Sequence, residues 1–125
     1  MFEIQLPINP VPASRPRVTR AGISYYAEPY KSFKRDAKEL LKERWTQPLI
    51  DYPVVVSIVV LVARPKTTKL STPKPDWDNY AKGVCDAMNE TVVTDDSLIT
   101  KGSCEKMWAA KGEPGRIHIY IEKKN

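Results

Sequence analysis

Phe2, Ile4, Leu6 and Ile8 alternate with Glu3, Gln5, Pro7 and Asn9. An apolar residue at every second position is the pattern of a strand with one face buried and one face wet. Pro10 to Gly22 breaks the pattern and reads as a loop, studded with proline and carrying Arg15, Arg17 and Arg20. Tyr25-Tyr26 fits a short strand. Glu28-Pro29 then has the composition of a helix start, since proline is tolerated in the first turn and an acid suits the positive end of the helix dipole. From there the period changes. Tyr30, Phe33, Ala37, Leu40, Leu41 and Trp45 recur at helical spacing, with Lys34, Arg35, Lys38, Lys42 and Glu43 on the other side. This predicts an amphipathic helix of about four turns.

Pro53–Ala63 is β-branched and apolar at both parities, which predicts a central strand covered on both faces. Arg64–Pro75 holds four Lys/Arg, three prolines and no acid, and reads as a solvated, mobile loop. A second helix is expected from Asp78 to about Asn89, with Asp78 as its N-cap and Ala81, Val84, Cys85 and Met88 on its apolar side. Thr91–Asp96 is a connection. Cys104–Ala110 and Arg116–Glu122 read as strands joined by Lys111-Gly112-Glu113-Pro114-Gly115, which has hairpin chemistry. In the second of these Ile117, Ile119 and Ile121 point one way, and His118, Tyr120 and Glu122 the other. His118, the only histidine, reads as a surface strand residue. The order predicts an α+β fold, an α/β sandwich with a mixed β-sheet and two main helices.

Composition narrows the class. At 125 residues the chain is expected to form one domain, residues 1–125. Hydrophobic residues at 42% and charged residues at 28% describe a globular protein, not a disordered tail. The longest apolar run, Val54–Ala63, is interrupted by Ser57 and falls short of the roughly 20 residues a bilayer span needs, so no membrane association is expected. Met1-Phe2-Glu3-Ile4 lacks the basic and apolar regions of a secretory signal. Cys85 and Cys104 have no partner motif and read as buried thiols in a reducing compartment, so the expected location is the cytoplasm.

Charge is unevenly distributed. Residues 1–75 carry 13 Lys/Arg against 6 Asp/Glu, whereas residues 76–125 carry 7 against 9. The first part suits a polyanion. The second concentrates acids at Asp76, Asp78, Asp95 and Asp96. In an extended segment residues i and i+2 point the same way, so Asp76 and Asp78 can share one cation. Lys82 lies one helical turn beyond Asp78. The acidic pair Asp95-Asp96 joins them only if the chain after the second helix folds back. Carboxylate oxygens bridging to a phosphate are a usual setting for magnesium, and a nearby lysine stabilises phosphate charge. Asp78 as a cap, Asp76 as a loop acid paired with Lys74, and Asp95-Asp96 as a solvated turn account for the same spacing. Arg15, Arg17 and Arg20, with Lys66, Lys69 and Lys74, are the candidates for gripping DNA phosphates, because neither loop holds a balancing acid.

The string Lys74-Pro75-Asp76-Trp77-Asp78-Asn79-Tyr80-Ala81-Lys82, then Asp86-Ala87-Met88 and Val93-Thr94-Asp95-Asp96, resembles the RusA family of Holliday-junction resolvases. Ser14-Arg15-Pro16-Arg17-Val18-Thr19-Arg20 resembles a segment of its phage-borne branch. The likeness extends over most of the chain. It implies that Asp76, Asp78 and Asp96 are metal-binding catalytic carboxylates, Asp95 a supporting acid and metal ligand, and Lys82 the catalytic lysine. It also implies magnesium, with manganese able to substitute, and a homodimer nicking opposed strands of branched, four-way DNA during recombination and repair. Trp77 departs from the family, where an aliphatic residue is more usual, and is expected to be buried or stacked beside the site. The residues before Asp95 are less bulky than in some members. The same acids would serve a flap or nonspecific metal-dependent nuclease. A non-catalytic DNA-binding module with structural acids is the alternative from another class.

Overall fold

A computed structural model describes all residues, 1–125. The alternating N-terminal segment forms β1 (Phe2–Leu6). Helix α1 (Glu28–Arg44) starts at Glu28-Pro29 and buries Tyr30, Phe33, Ala37 and Leu41. β4 (Val54–Val62) is the long apolar strand, α2 (Trp77–Met88) the second helix, and β5 (Ile99–Trp108) and β6 (Arg116–Lys123) close the chain. The four long strands form one mixed sheet in the order β1-β6-β4-β5. Two helices on a mixed sheet make this an α+β fold. No helix is long and apolar enough to cross a membrane.

β4 runs parallel to β5 because α2 carries the chain back between them, the crossover that parallel neighbours require. β6 pairs antiparallel with β4 on its other edge and with β1 beyond. The expected β5–β6 hairpin is therefore absent. Turn chemistry at residues 111–115 is present, with Gly112 at φ 84° and the Glu113 N–H on Ala110 O. The turn, however, passes over the end of β4, where the Ala109 N–H donates to Val62 O at 2.8 Å. A strand apolar at both parities takes the centre of the sheet, and that separates its two successors.

The central position of β4 agrees with its sequence; cover on both faces does not. Val54, Val56, Ile58 and Val60 are buried under α1 and α2, together with Ile117, Ile119 and Ile121. Val55, Val59 and Leu61 on the opposite face are only half-buried, beside Tyr120 and a half-buried His118. Both helices pack on one side.

Residues 10–22 are not all loop. β2 (Arg17–Val18) and β3 (Ser24–Tyr25) form a separate two-stranded ribbon, closed by a turn with Gly22 at φ 80°. The Arg64–Pro75 segment is also pinned, contrary to its expected mobility. Trp108 Nε1 donates to Leu70 O at 3.0 Å, and Lys106 Nζ donates to Pro73 O at 2.7 Å and to Pro75 O at 2.8 Å. Cys85 and Cys104 are free and partly buried. Burial is the main reason both thiols are pushed up to about 11, with the charges of Asp86 and Asp96 adding to the shift at Cys85.

Candidate active site

Helix α2 begins directly after the segment that Lys106 holds. Its N-cap is Asp76, in extended backbone at φ −66° and ψ 144°, so the helix starts at Trp77, one residue before Asp78, which falls in the first turn instead of capping it. Asp76 does not cap with its side chain, and none of the chain's ion pairs uses Asp76 or Asp78. Both carboxylates are thus free for other partners, at the end of the helix where the dipole favours negative charge. Trp77 between them is 55% exposed, which rules out burial, the first of the two placements expected for it. By helical spacing it shares a face with Tyr80 and Val84, but it stands at the first turn, where that face runs out into solvent.

The N-terminal loop reaches this helix because Gly83 leaves room for it. A Cβ there would stand 3.0 Å from Val11 O, and the Ala13 N–H donates to Asn79 O at 2.9 Å. This close approach lays Ser14, Arg15 and Pro16 along the start of α2. Together with Tyr26 they line an open cleft of about 600 Å³ whose other walls include Asp76, Asp78 and Lys82. Ser14 Oγ is buried there without a hydrogen-bond partner.

Lys82 is not loose in this cleft. Its Nζ lies 3.3 and 3.4 Å from the two oxygens of Asp86, one turn further along α2. The Asp86 side chain is only 14% exposed, and it accepts a hydrogen bond from the Tyr30 hydroxyl of α1. Burial, and then this bond to the carboxylate, raise the Tyr30 phenol well above its ordinary value. Tyr26 meets the Tyr30 ring edge-on with centroids 5.3 Å apart. The cleft wall and the α1–α2 interface are one connected structure.

The second acidic pair reaches α2 at its other end. Residues 91–93 are buried, and the backbone of Ile50 brackets them through Val92 O and the Thr94 N–H. The chain does fold back here, and the Asp96 N–H donates to Asn89 Oδ1 at 2.9 Å. Asp96 is exposed. Asp95 caps the short 3-10 helix Asp96–Leu98 by accepting the Ser97 N–H at 2.9 Å, and this bond holds its carboxyl below the usual range. The structure thus gathers Asp76, Asp78, Lys82 and Arg15 at one cleft and leaves Asp95 and Asp96 near the C-terminus of α2. No three His, Cys, Asp or Glu side chains converge as a cation cage.

Arg17 and Arg20 stand on the ribbon next to Arg15. Lys66 lines a different concavity with Arg64 and Lys111, and Lys69 and Lys74 are exposed on the pinned segment. Sequence reasoning missed three residues that position the site: Asp86, Tyr30 and Lys106. Only Asp86 left a local signal, four residues beyond Lys82 on the same helix.

Comparison with known proteins gives the family. The chain is 30% identical over 130 residues to a Bacillus subtilis (strain 168) protein described as uncharacterized protein YqaN, an alignment that covers 90% of this chain and 89% of the relative. Residues 7–122 match the family described as Endodeoxyribonuclease RusA, a span that takes in most of the fold, the cleft and both acidic pairs. The chain belongs to the RusA endodeoxyribonuclease family.

Proposed function

We propose that this protein is a magnesium-dependent, structure-selective endonuclease that resolves four-way DNA junctions by symmetric paired nicks, in recombination and repair. The observation that carries the reading is the cleft in which two carboxylates without protein partners, Asp76 and Asp78, stand with Lys82 and Arg15, in a chain of a nuclease family.

In this reading Asp76 and Asp78 would hold the divalent cation at the cleft, magnesium or manganese in its place, and Asp96, with Asp95 as a supporting acid, would join them from the turn after α2 once DNA is bound. The donors on offer are oxygens, the orphaned Ser14 Oγ among them, which suits a hard cation that keeps part of its water shell. A divalent cation held there would supply Lewis acidity toward a phosphoryl oxygen and would make water a stronger nucleophile. Lys82 places its ammonium against the negative charge that builds on the phosphate, and Asp86 keeps it within the cleft. Arg15, Arg17 and Arg20 neutralise backbone phosphates on the cleft side, and Lys66, Lys69 and Lys74 extend the basic surface.

A junction is resolved only when two symmetric strands are cut, and one chain offers one set of acids. A homodimer with a two-fold axis matches that symmetry. Sedimentation of the free protein at micromolar concentration is expected to give about twice 14.2 kDa. The deciding experiment is cleavage of an end-labelled four-way junction, with flap and linear duplex controls, with and without magnesium. Paired nicks confined to the junction are expected. Absence of any magnesium-dependent nicking sinks the reading and leaves the acids structural.

A further inference from the structure

The ribbon β2–β3 contributes nothing to the main sheet or the core; its strands pair only with each other. Yet it carries much of the chain's exposed apolar surface. Val18 is 67% exposed and Ile23 64%, more than any large hydrophobic residue except Met1, and Tyr25 on the same ribbon is 47% exposed. Apolar side chains held in water on a structured arm point to a partner with apolar faces of its own.

The register arranges them. Arg17 pairs with Tyr25 and Val18 with Ser24, while the Thr19 N–H bonds to Ile23 O. Tyr25 and Ile23, two residues apart, therefore share one face of the ribbon with Arg17, and Val18 lies on the other. The neighbouring charge is of one sign: residues 10–27 hold Arg15, Arg17 and Arg20 and no acid. The foot of the arm is the rim of the carboxylate cleft, because Arg15, Pro16 and Tyr26 line it together with Asp76, Asp78 and Lys82. Ile23 is three residues from Tyr26, ~10 Å of extended chain, which is about three base steps. Arginines suit phosphates, but an exposed tyrosine and isoleucine do not. In DNA the matching surface is the face of a base, hidden in continuous duplex and accessible where strands exchange or lose their partners.

We propose that the ribbon is a base-contacting wedge: Ile23 and Tyr25, backed by Arg17, pack on bases laid open at a branch point while the adjoining phosphodiester lies at Asp76 and Asp78. The proposal rests on the nuclease reading only in placing DNA at the cleft. It assigns discrimination between branched and linear DNA to this arm, because phosphate contacts by arginine are the same on both.

The test compares binding of a synthetic four-way junction and a linear duplex of matching sequence, in EDTA so that nothing is cut. The proteins are the wild type, the double variant Ile23→Ser/Tyr25→Ser, and Tyr25→Phe. Both substituted positions carry exposed side chains, so the fold is retained. The wild type is expected to prefer the junction. The double variant should bind the junction about tenfold more weakly, with duplex affinity within twofold and an unchanged salt slope. Tyr25→Phe keeps the ring and should keep junction affinity. Permanganate oxidation of branch-point thymines should rise with wild type and stay at the free-DNA level with the double variant. Equal wild-type affinity for both DNAs, or a junction-to-duplex ratio unmoved by the double substitution, overturns the proposal. Failure of the nuclease reading is seen separately, as absence of magnesium-dependent nicking by the wild type.

Discussion

Tyr30 of α1 donates its hydroxyl proton to the Asp86 carboxylate of α2, and that carboxylate also receives the Lys82 ammonium. A buried phenol thus anchors an acid that holds a cation at the cleft. Tyr30→Phe keeps the ring packing and removes only the donor. It is expected to cost about 1–2 kcal/mol of stability, read as a lower denaturant midpoint at unchanged slope. Asp86→Asn weakens the hold on Lys82 and should lower turnover about tenfold at saturating enzyme with junction affinity within twofold. The Lys82–Asp86 pair itself adds little stability, since the lysine is 62% exposed. If turnover follows stability alone across the two variants, Asp86 does not position Lys82.

The carboxylates should separate cutting from binding. Asp76→Asn, Asp78→Asn and Asp96→Asn are each expected to abolish cleavage and to leave junction affinity equal or slightly higher, because a negative charge near phosphates has been removed. Robust cutting by any of them removes that residue from the site. Asp95→Asn should be milder in activity, since Asp95 spends an oxygen on the Ser97 amide, and asparagine can still cap. Asp95→Ala should cost about 1 kcal/mol of stability.

Much of the site was legible because it is local. Asp76, Asp78 and Lys82 lie within one short stretch, and helix spacing alone relates them. The residues that hold them were not legible. Tyr30 is 56 positions from Asp86, and Lys106 is 31 from Pro75, so those partners are chosen by how α1, α2 and β5 pack. The same distinction applies to the fold. The period of β1 and α1 is a property of each segment, whereas the insertion of β6 between β1 and β4 depends on which strand edges remain free. The Arg17–Tyr25 ribbon has no such signature because each strand is two residues long, too short for any period to show.

Lys106 offers a test of the support under Asp76. Its side chain satisfies two backbone carbonyls on either side of Lys74, and Pro75 directly precedes Asp76. Lys106→Met retains the stem and deletes both charge-assisted bonds. A decrease of about 2 kcal/mol in stability is expected, together with reduced cleavage at saturating DNA as the start of α2 loosens. Full activity at reduced stability would show that Asp76 is held by the helix alone.

Alkaline pH should reveal the two thiols. Cys85 and Cys104 are raised from about 9 to about 11 by burial, so the folded state keeps protons that the unfolded chain releases. Stability is therefore unaffected by these groups below about pH 9 and falls as pH rises from there toward 11. Alkylation by iodoacetamide at pH 8 should be slow in the folded protein and fast in denaturant. Ready modification of the native protein at that pH would contradict buried, protonated thiols.

The arginines beside the cleft are expected to act through phosphate charge. Arg15 lines the cleft and Arg17 stands two residues on, in the ribbon. Neutralising a phosphate releases counterions, so the slope of log affinity against log salt falls by about one for each arginine that no longer reaches the backbone. Arg15→Ala with Arg17→Ala should therefore weaken binding to junction and duplex alike and flatten the slope by about two. Both side chains are exposed and neither has a protein ion-pair partner, so the fold is unharmed in the double variant. Titration of one labelled junction from low to moderate salt measures both quantities together. A weaker affinity with an unchanged slope would mean that the arginines meet bases or shape the ribbon; an unchanged affinity and slope would place the DNA elsewhere on the basic surface, toward Lys66 and Lys111.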